Sequence, residues 1–194
     1  MSGCRALTDD EISLVESKLD TSRDKLLFAM GVKTGFRISE LLSLKVKDVL
    51  QNGKALDKVR VARGKMKGGK PGVGKKKIWA SSRTVALHEK VKKMIEETVV
   101  GDGETYLFKS RVGENKPISR FQAHNILKAA YGAAMVSGAL ATHTMRKTFA
   151  KKVYEIYEHD LLKTMKALGH EDVRNVQRYL DVDGEAVEAG ILST

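Results

Sequence analysis

Apolar residues recur at helical spacing over most of the chain and alternate along one stretch before its midpoint. Ile12, Leu14, Val15 and Leu19 fall close to one helical face. Ahead of them, Thr8-Asp9-Asp10-Glu11 reads as a helix start, with Thr8 as the cap and Glu11 at the reciprocal capping position. A second helix begins at Thr21 or Ser22 and carries Leu26, Leu27, Met30 and Val32. Gly35 is suited to end it, because glycine accepts the left-handed conformation of a C-terminal cap. Phe36 to Leu42, FRISELL, forms a short third helix, with Leu41 and Leu42 in the core. The period then changes. Residues 56–63, LDKVRVAR, alternate as a strand does, with Val59 and Val61 on one face, and residues 77–87, KIWASSRTVAL, supply an antiparallel partner. The Gly/Lys-rich stretch between them is too long for a tight hairpin turn.

Helical spacing returns at 88–98, where Val91, Met94 and Ile95 share a face. Tyr106-Leu107-Phe108 is a short buried extended piece. Pro117-Ile118-Ser119 opens a helix running to about Met135, with Phe121, Ile126, Leu127 and Ala130 inward and Gly138 at its end. Three helices follow, at about 142–157, 159–168 and 172–180. The pattern predicts an α+β class, mostly helical, with one small antiparallel sheet. A length of 194 residues suits one well-buried core, so a single domain over 1–194 is expected, with 181–194 as a tail.

Charge changes this picture more than composition does. The net charge is +11, and residues 54–77 hold ten Lys/Arg against one Asp, which leaves the other 170 residues at only +2. A basic stretch on a near-neutral body suits one face meeting a polyanion, although a solvated loop has the same composition. No run of 18 apolar residues suggests a membrane span, and MSGCRALTDDE lacks the apolar core of a signal peptide. The one cysteine, Cys4, cannot form an internal disulfide, in keeping with a reducing cytoplasm.

The candidate chemistry lies mostly in the last quarter. His143 and Arg146 stand one helical turn apart, and so share a face. Arg146 can clamp two phosphate oxygens in a fork that lysine does not reproduce, and His143 can donate to the same group or move a proton. Leu168-Gly169-His170 ends one helix, and Tyr179 follows nine residues after His170. Further upstream, GFRISEL places Arg37 at a helix start, where backbone N–H groups already favour an anion, with Glu40 placed to hold it. Each feature has a plainer reading as a cap, a surface ion pair or a half-buried aromatic. Residues 69–75 fit the GxxxxGK phosphate-loop pattern, but Lys76 stands where a magnesium-binding hydroxyl belongs, and neither the preceding strand nor the following helix is present. No His/Cys/Asp cluster has metal-ligand spacing.

In combination, GxRxSEL at Arg37, a basic hairpin, HxxR, LGH and a tyrosine nine residues later resemble the tyrosine recombinases, the phage-integrase family. The resemblance covers about residues 6–182 and rests on the joint order of motifs that are weak singly. It implies the tyrosine-recombinase catalytic fold and site-specific recombination of double-stranded DNA through a 3′-phosphotyrosyl intermediate, in a cytoplasmic, nucleoid-associated protein. Tyr179 would be the nucleophile. Arg37 and Arg146 would hold the non-bridging oxygens, His143 would handle protons, and His170 would bond the phosphate. Glu40 would be structural support. Lys67 on the hairpin would be the general acid, with Lys65 as the alternative. Arg63, Lys65, Lys70, Lys75, Lys76 and Lys77 would meet the DNA backbone. Neither ATP, a metal nor another cofactor is implied, because the bond energy is kept in the phosphotyrosine.

Three departures from the family pattern stand out. Lys147 follows Arg146 where the family often has histidine. The loop at 64–76 is longer and richer in glycine than usual. The resemblance begins almost at the first residue, so the usual N-terminal DNA-clamping domain is expected to be absent. Two alternatives remain open at this point: a type IB topoisomerase-like enzyme that nicks and reseals, and a silent DNA-binding protein of the same fold. Val187, Ile191 and Leu192 in the tail suit packing on a neighbouring subunit, which favours recombination by a tetramer.

Overall fold

Helix α2 (Ser22–Thr34) forms the centre of the protein, and most of its residues are buried, including the run from Leu26 to Val32. The structure is a computed structural model of the chain, described here over residues 3–62 and 82–169. Helix α1 (Asp9–Ser17) precedes α2, and α3 (Ile38–Leu42) follows it. A 3-10 turn at Val46–Asp48 leads to a hairpin of β1 (Leu50–Gln51) and β2 (Lys54–Ala55). A second antiparallel pair, β3 (Lys58–Ala62) with β4 (Ser82–Ala86), comes next, with Val59 opposite Val85 and Val61 opposite Arg83. Helices α4 (Glu89–Thr98), α5 (Arg120–Ala133), α6 (Thr142–Ile156) and α7 (Leu161–Leu168) complete the described chain. Helix α2 packs against α6, α4, α3 and α1, and α6 also carries α7. No described helix is long and apolar enough to cross a membrane.

Local chemistry accounts for the first helices. Thr8 accepts from the Glu11 N–H while Glu11 accepts from the Thr8 N–H, closing the expected capping box. Arg5 adds a two-pronged bond to the same carboxylate, at 2.6 and 2.8 Å, and a third bond to the Ser137 carbonyl. Arg5 chiefly, with the Thr8 bonds, pulls the Glu11 carboxyl down to about 2. A depressed carboxyl stabilises the fold fully above its unfolded value and loses that contribution as pH falls through the folded one. The melting temperature is therefore expected to fall as pH drops from about 4.5 to about 2, with a shallower fall in Glu11→Gln. Equal acid profiles for the two proteins would remove Glu11 from the account.

Helix α2 ends at Gly35, which takes the left-handed conformation at φ 60°. A Cβ there would also run into the Phe149 ring, whose Cγ would stand 2.7 Å away. Gly35→Ala is expected to destabilise the fold by at least about 1–2 kcal/mol from backbone strain alone, measured by urea unfolding.

The structure corrects several expectations. Phe121 does not face inward: it is 74% exposed. The buried stripe of α5 is Ala123, Leu127, Ala130 and Tyr131, and Phe121 sits two residues, about 200°, away from Ala123. That helix stops at Ala133, two residues short of the expected end near Met135, with Met135 in the left-handed conformation and the Val136 N–H bonded to the Tyr131 carbonyl. Tyr106 and Lys109 each make a single bridge, to Lys45 and Pro117, around a turn that buries Leu107 and Phe108. The described residues hold two small sheets rather than one. The extra hairpin turns on Asn52-Gly53, both at positive φ (51° and 74°), as a tight primed turn requires. The expected helix at 172–180 and the loop at 64–76 lie outside the described residues.

Candidate functional site

The C-terminal end of α2, the start of α3 and the first turns of α6 meet around one buried carboxylate. Glu40 is 3% exposed and sits one turn into α3. Its Oε2 accepts the Arg37 N–H at 2.6 Å, and its Oε1 accepts Arg37 Nη1 at 3.1 Å. The carboxylate therefore caps the helix and aims the guanidinium together. Arg146 Nη1 lies 4.0 Å from Glu40 Oε2 on the other side. Two arginines 109 positions apart in sequence are thus drawn to one carboxylate, as the sequence suggested for Arg37 and Glu40 alone.

Arg146 is also fixed by backbone. Its Nη1 donates to the Gly35 carbonyl, and its Nη2 donates to the Leu168 carbonyl at 3.0 Å. Those carbonyls belong to the C-terminal ends of α2 and α7, where helix dipoles leave partial negative charge that a cation complements. Gly169 closes α7 in the left-handed conformation at φ 62°, as expected of a cap. His143 lies one turn before Arg146 on α6 and is exposed, whereas Arg146 is 1% exposed. The shared helical stripe is therefore open at one end and closed at the other. Partial burial, then the charges of Arg146 and Arg37, push the His143 imidazole below its ordinary value. The shift favours the uncharged ring, the form able to accept a proton. Arg37 keeps 38% of its side chain exposed, so an incoming anion can reach it.

One contributor was not singled out from sequence. Arg83 on β4 is 6% exposed, and its guanidinium donates to the Thr34, Gly35 and Ala167 carbonyls. The strand period held the signal. Arg83 shares parity with Val85 and Leu87, the inward positions, while Thr84 and Ala86 face solvent. A charged residue on the buried side of a strand needs partners, and Arg83 has them.

The remaining candidates, His170, Tyr179, Arg63, Lys65, Lys67, Lys70, Lys75, Lys76 and Lys77, lie outside the described residues. Among the described residues, no group of three or more His, Cys, Asp or Glu is placed to hold a metal ion.

Residues 5–185 match the phage integrase family, and the chain belongs to that family. It is 34% identical over 174 residues to the probable integrase/recombinase YoeC of Bacillus subtilis, covering 86% of this chain and 82% of YoeC. The crystal structure of a XerA recombinase shares the fold with a TM-score of 0.72 at 19% identity, covering 100% of this chain and 66% of XerA. A XerH site-specific recombinase, solved bound to palindromic difH substrate as a post-cleavage complex, superposes with a TM-score of 0.67 at 22% identity. The match covers 98% of this chain but only 53% of the XerH chain. The fold is thus that of tyrosine-recombinase catalytic domains, as the motifs implied.

Proposed function

We propose that this chain breaks and rejoins DNA strands as a site-specific tyrosine recombinase, with its phosphate-activating centre at Arg37, Glu40, His143 and Arg146. The observation that carries the reading is the buried Glu40 carboxylate with Arg37 on one side and Arg146 on the other. That arrangement suits a phosphodiester, whose two non-bridging oxygens gain charge as a fifth oxygen approaches phosphorus.

In this reading the Tyr179 hydroxyl attacks phosphorus and passes its proton to a base, for which the His143 ring is suited. The bond from phosphorus to the 5′ oxygen breaks, and Lys67, or Lys65, protonates the leaving oxygen. The product is a 3′-phosphotyrosyl link and a free 5′-hydroxyl. Attack by a 5′-hydroxyl from a second strand reverses the same steps and seals a new phosphodiester. The phosphate exchanges one ester for another, so neither ATP nor a metal enters the balance. His170 supplies a further hydrogen bond to the phosphate. Arg146 is 1% exposed, so DNA binding must uncover its guanidinium. The basic residues between Arg63 and Lys77 engage the DNA backbone, with most of the chain's excess charge. Four subunits joined through residues 181–194 complete the exchange.

The test uses nicked duplexes with a randomised core, incubated with the protein in EDTA without nucleotide and then denatured. A covalent complex on the 3′ side of the break, with a 5′-hydroxyl that a kinase can label, is the expected product. Attachment at the 5′ side, or dependence on magnesium, would contradict the proposed reaction.

A further inference from the structure

Arg83 ties several separate elements of the site together. Its Nη2 donates to the Thr34 carbonyl at 2.6 Å and its Nη1 to the Gly35 carbonyl at 3.3 Å. Its Nε donates to the Ala167 carbonyl at 2.9 Å. The guanidinium carbon stands 5.0 Å from the centre of the Phe36 ring and 5.6 Å from that of Phe149, so two aromatic faces flank the charge. One side chain thus joins a hairpin strand, the end of α2 that leads into Arg37, and the end of α7 that leads into His170. The Gly35 carbonyl it holds is the one that Arg146 also uses.

Stability alone is a poor reason for this arrangement. A buried guanidinium is costly to desolvate, and the strand face it occupies is otherwise lined by Val59, Val61 and Val85, which an apolar residue would join at less cost. A planar fork with donors on three nitrogens spans carbonyls from two helices, which a single ammonium cannot do.

We propose that Arg83 is a positioning residue for strand cleavage, setting the distance between the ends of α2 and α7 so that Arg37, Arg146 and the chain entering His170 converge on one phosphate. The proposal rests on the recombinase reading above and adds to it a residue that never touches DNA. Its removal therefore acts on the rate of the chemical step and not on the affinity for DNA. An error of about 1 Å in a reacting geometry costs about 100-fold in rate.

The experiment measures single-turnover covalent adduct formation at saturating nicked duplex, expressed per folded molecule from circular dichroism. DNA affinity is measured on the same preparations. The variants are Arg83→Lys, which keeps the charge and loses the fork, and Arg83→Met. Leu127→Ala, a buried change on α5 outside the site, is the control for lost stability. The expected result is a rate per folded molecule lowered about 100-fold in both Arg83 variants. DNA affinity stays unchanged, and Leu127→Ala keeps the wild-type rate per folded molecule. An Arg83→Lys rate equal to wild type overturns the proposal, as does an equal loss in Leu127→Ala. Where the wild-type protein itself forms no adduct, the recombinase reading falls and this inference with it. An active wild type beside an equally active Arg83→Lys variant removes only the positioning role.

Discussion

Arg146→Lys is expected to slow DNA strand cleavage by about 10³-fold, the upper range for removing one donor from a site that stabilises developing charge. Lysine keeps the positive charge, so any loss beyond that measures the geometry of the fork. In the structure the fork spans the Gly35 and Leu168 carbonyls and comes within 4.0 Å of Glu40. An ammonium on a flexible stem cannot serve those positions together. The Gly35 carbonyl keeps its bond from Arg83, but the Leu168 carbonyl loses its Arg146 donor at a cost of about 1–3 kcal/mol, so the variant is expected to melt earlier than wild type. Single-turnover cleavage at saturating DNA separates the two effects. A rate within about tenfold of wild type would mean that Arg146 is held for the fold and not for the phosphate, since that is less than about 1.4 kcal/mol of barrier.

Glu40→Ala is expected to have the largest effect on stability. The carboxylate is 3% exposed, and its loss removes the negative charge 4.0 Å from the buried Arg146 and leaves the Arg37 N–H without its acceptor. Removing one partner of a buried ion pair costs about 3–5 kcal/mol. Glu40→Gln keeps an acceptor for the Arg37 N–H, so a smaller loss is expected. Urea unfolding of the two variants checks the order. If Glu40→Gln costs as much as Glu40→Ala, the charge matters and the cap does not. If both stay near wild type, the carboxylate is not the support for the two arginines.

Features set within four residues were the most legible in the sequence. The Thr8–Glu11 box, the Gly35 and Gly169 caps and the Arg37–Glu40 pair each depend on a local spacing, and each formed as read. Helical faces were legible where the period had several members, as in Val91 and Ile95 of α4, which are fully buried. A single large apolar residue says little about its face unless its phase against its neighbours is counted. Phe121 points outward because Ala123, Leu127 and Ala130 define the opposite direction. Asn52-Gly53 is a strong turn signal, but two-residue strands on either side leave too little alternation to notice.

The candidate site divides in the same way. Motif order identified Arg37, His143 and Arg146, and the fold brings them to one place. Spacing alone could not tell that His143 would be exposed and Arg146 buried, because that depends on what α2 and α7 lay over the helix. Nor could it find Arg83, whose partners lie 48, 49 and 84 positions away along the chain. An arginine at an inward strand position was the available sign, and its acceptors only become visible once helix ends are placed in space.

The central claim is that this protein cuts DNA by forming a covalent bond through Tyr179. The most direct measurement compares wild type with Tyr179→Phe on the same nicked duplex, followed by peptide mapping of the trapped complex. The account predicts that wild type yields one nucleotide-bearing peptide, modified at Tyr179, and that Tyr179→Phe binds DNA but yields none. An adduct formed by Tyr179→Phe as readily as by wild type, or a wild-type adduct mapped to another residue, would contradict it.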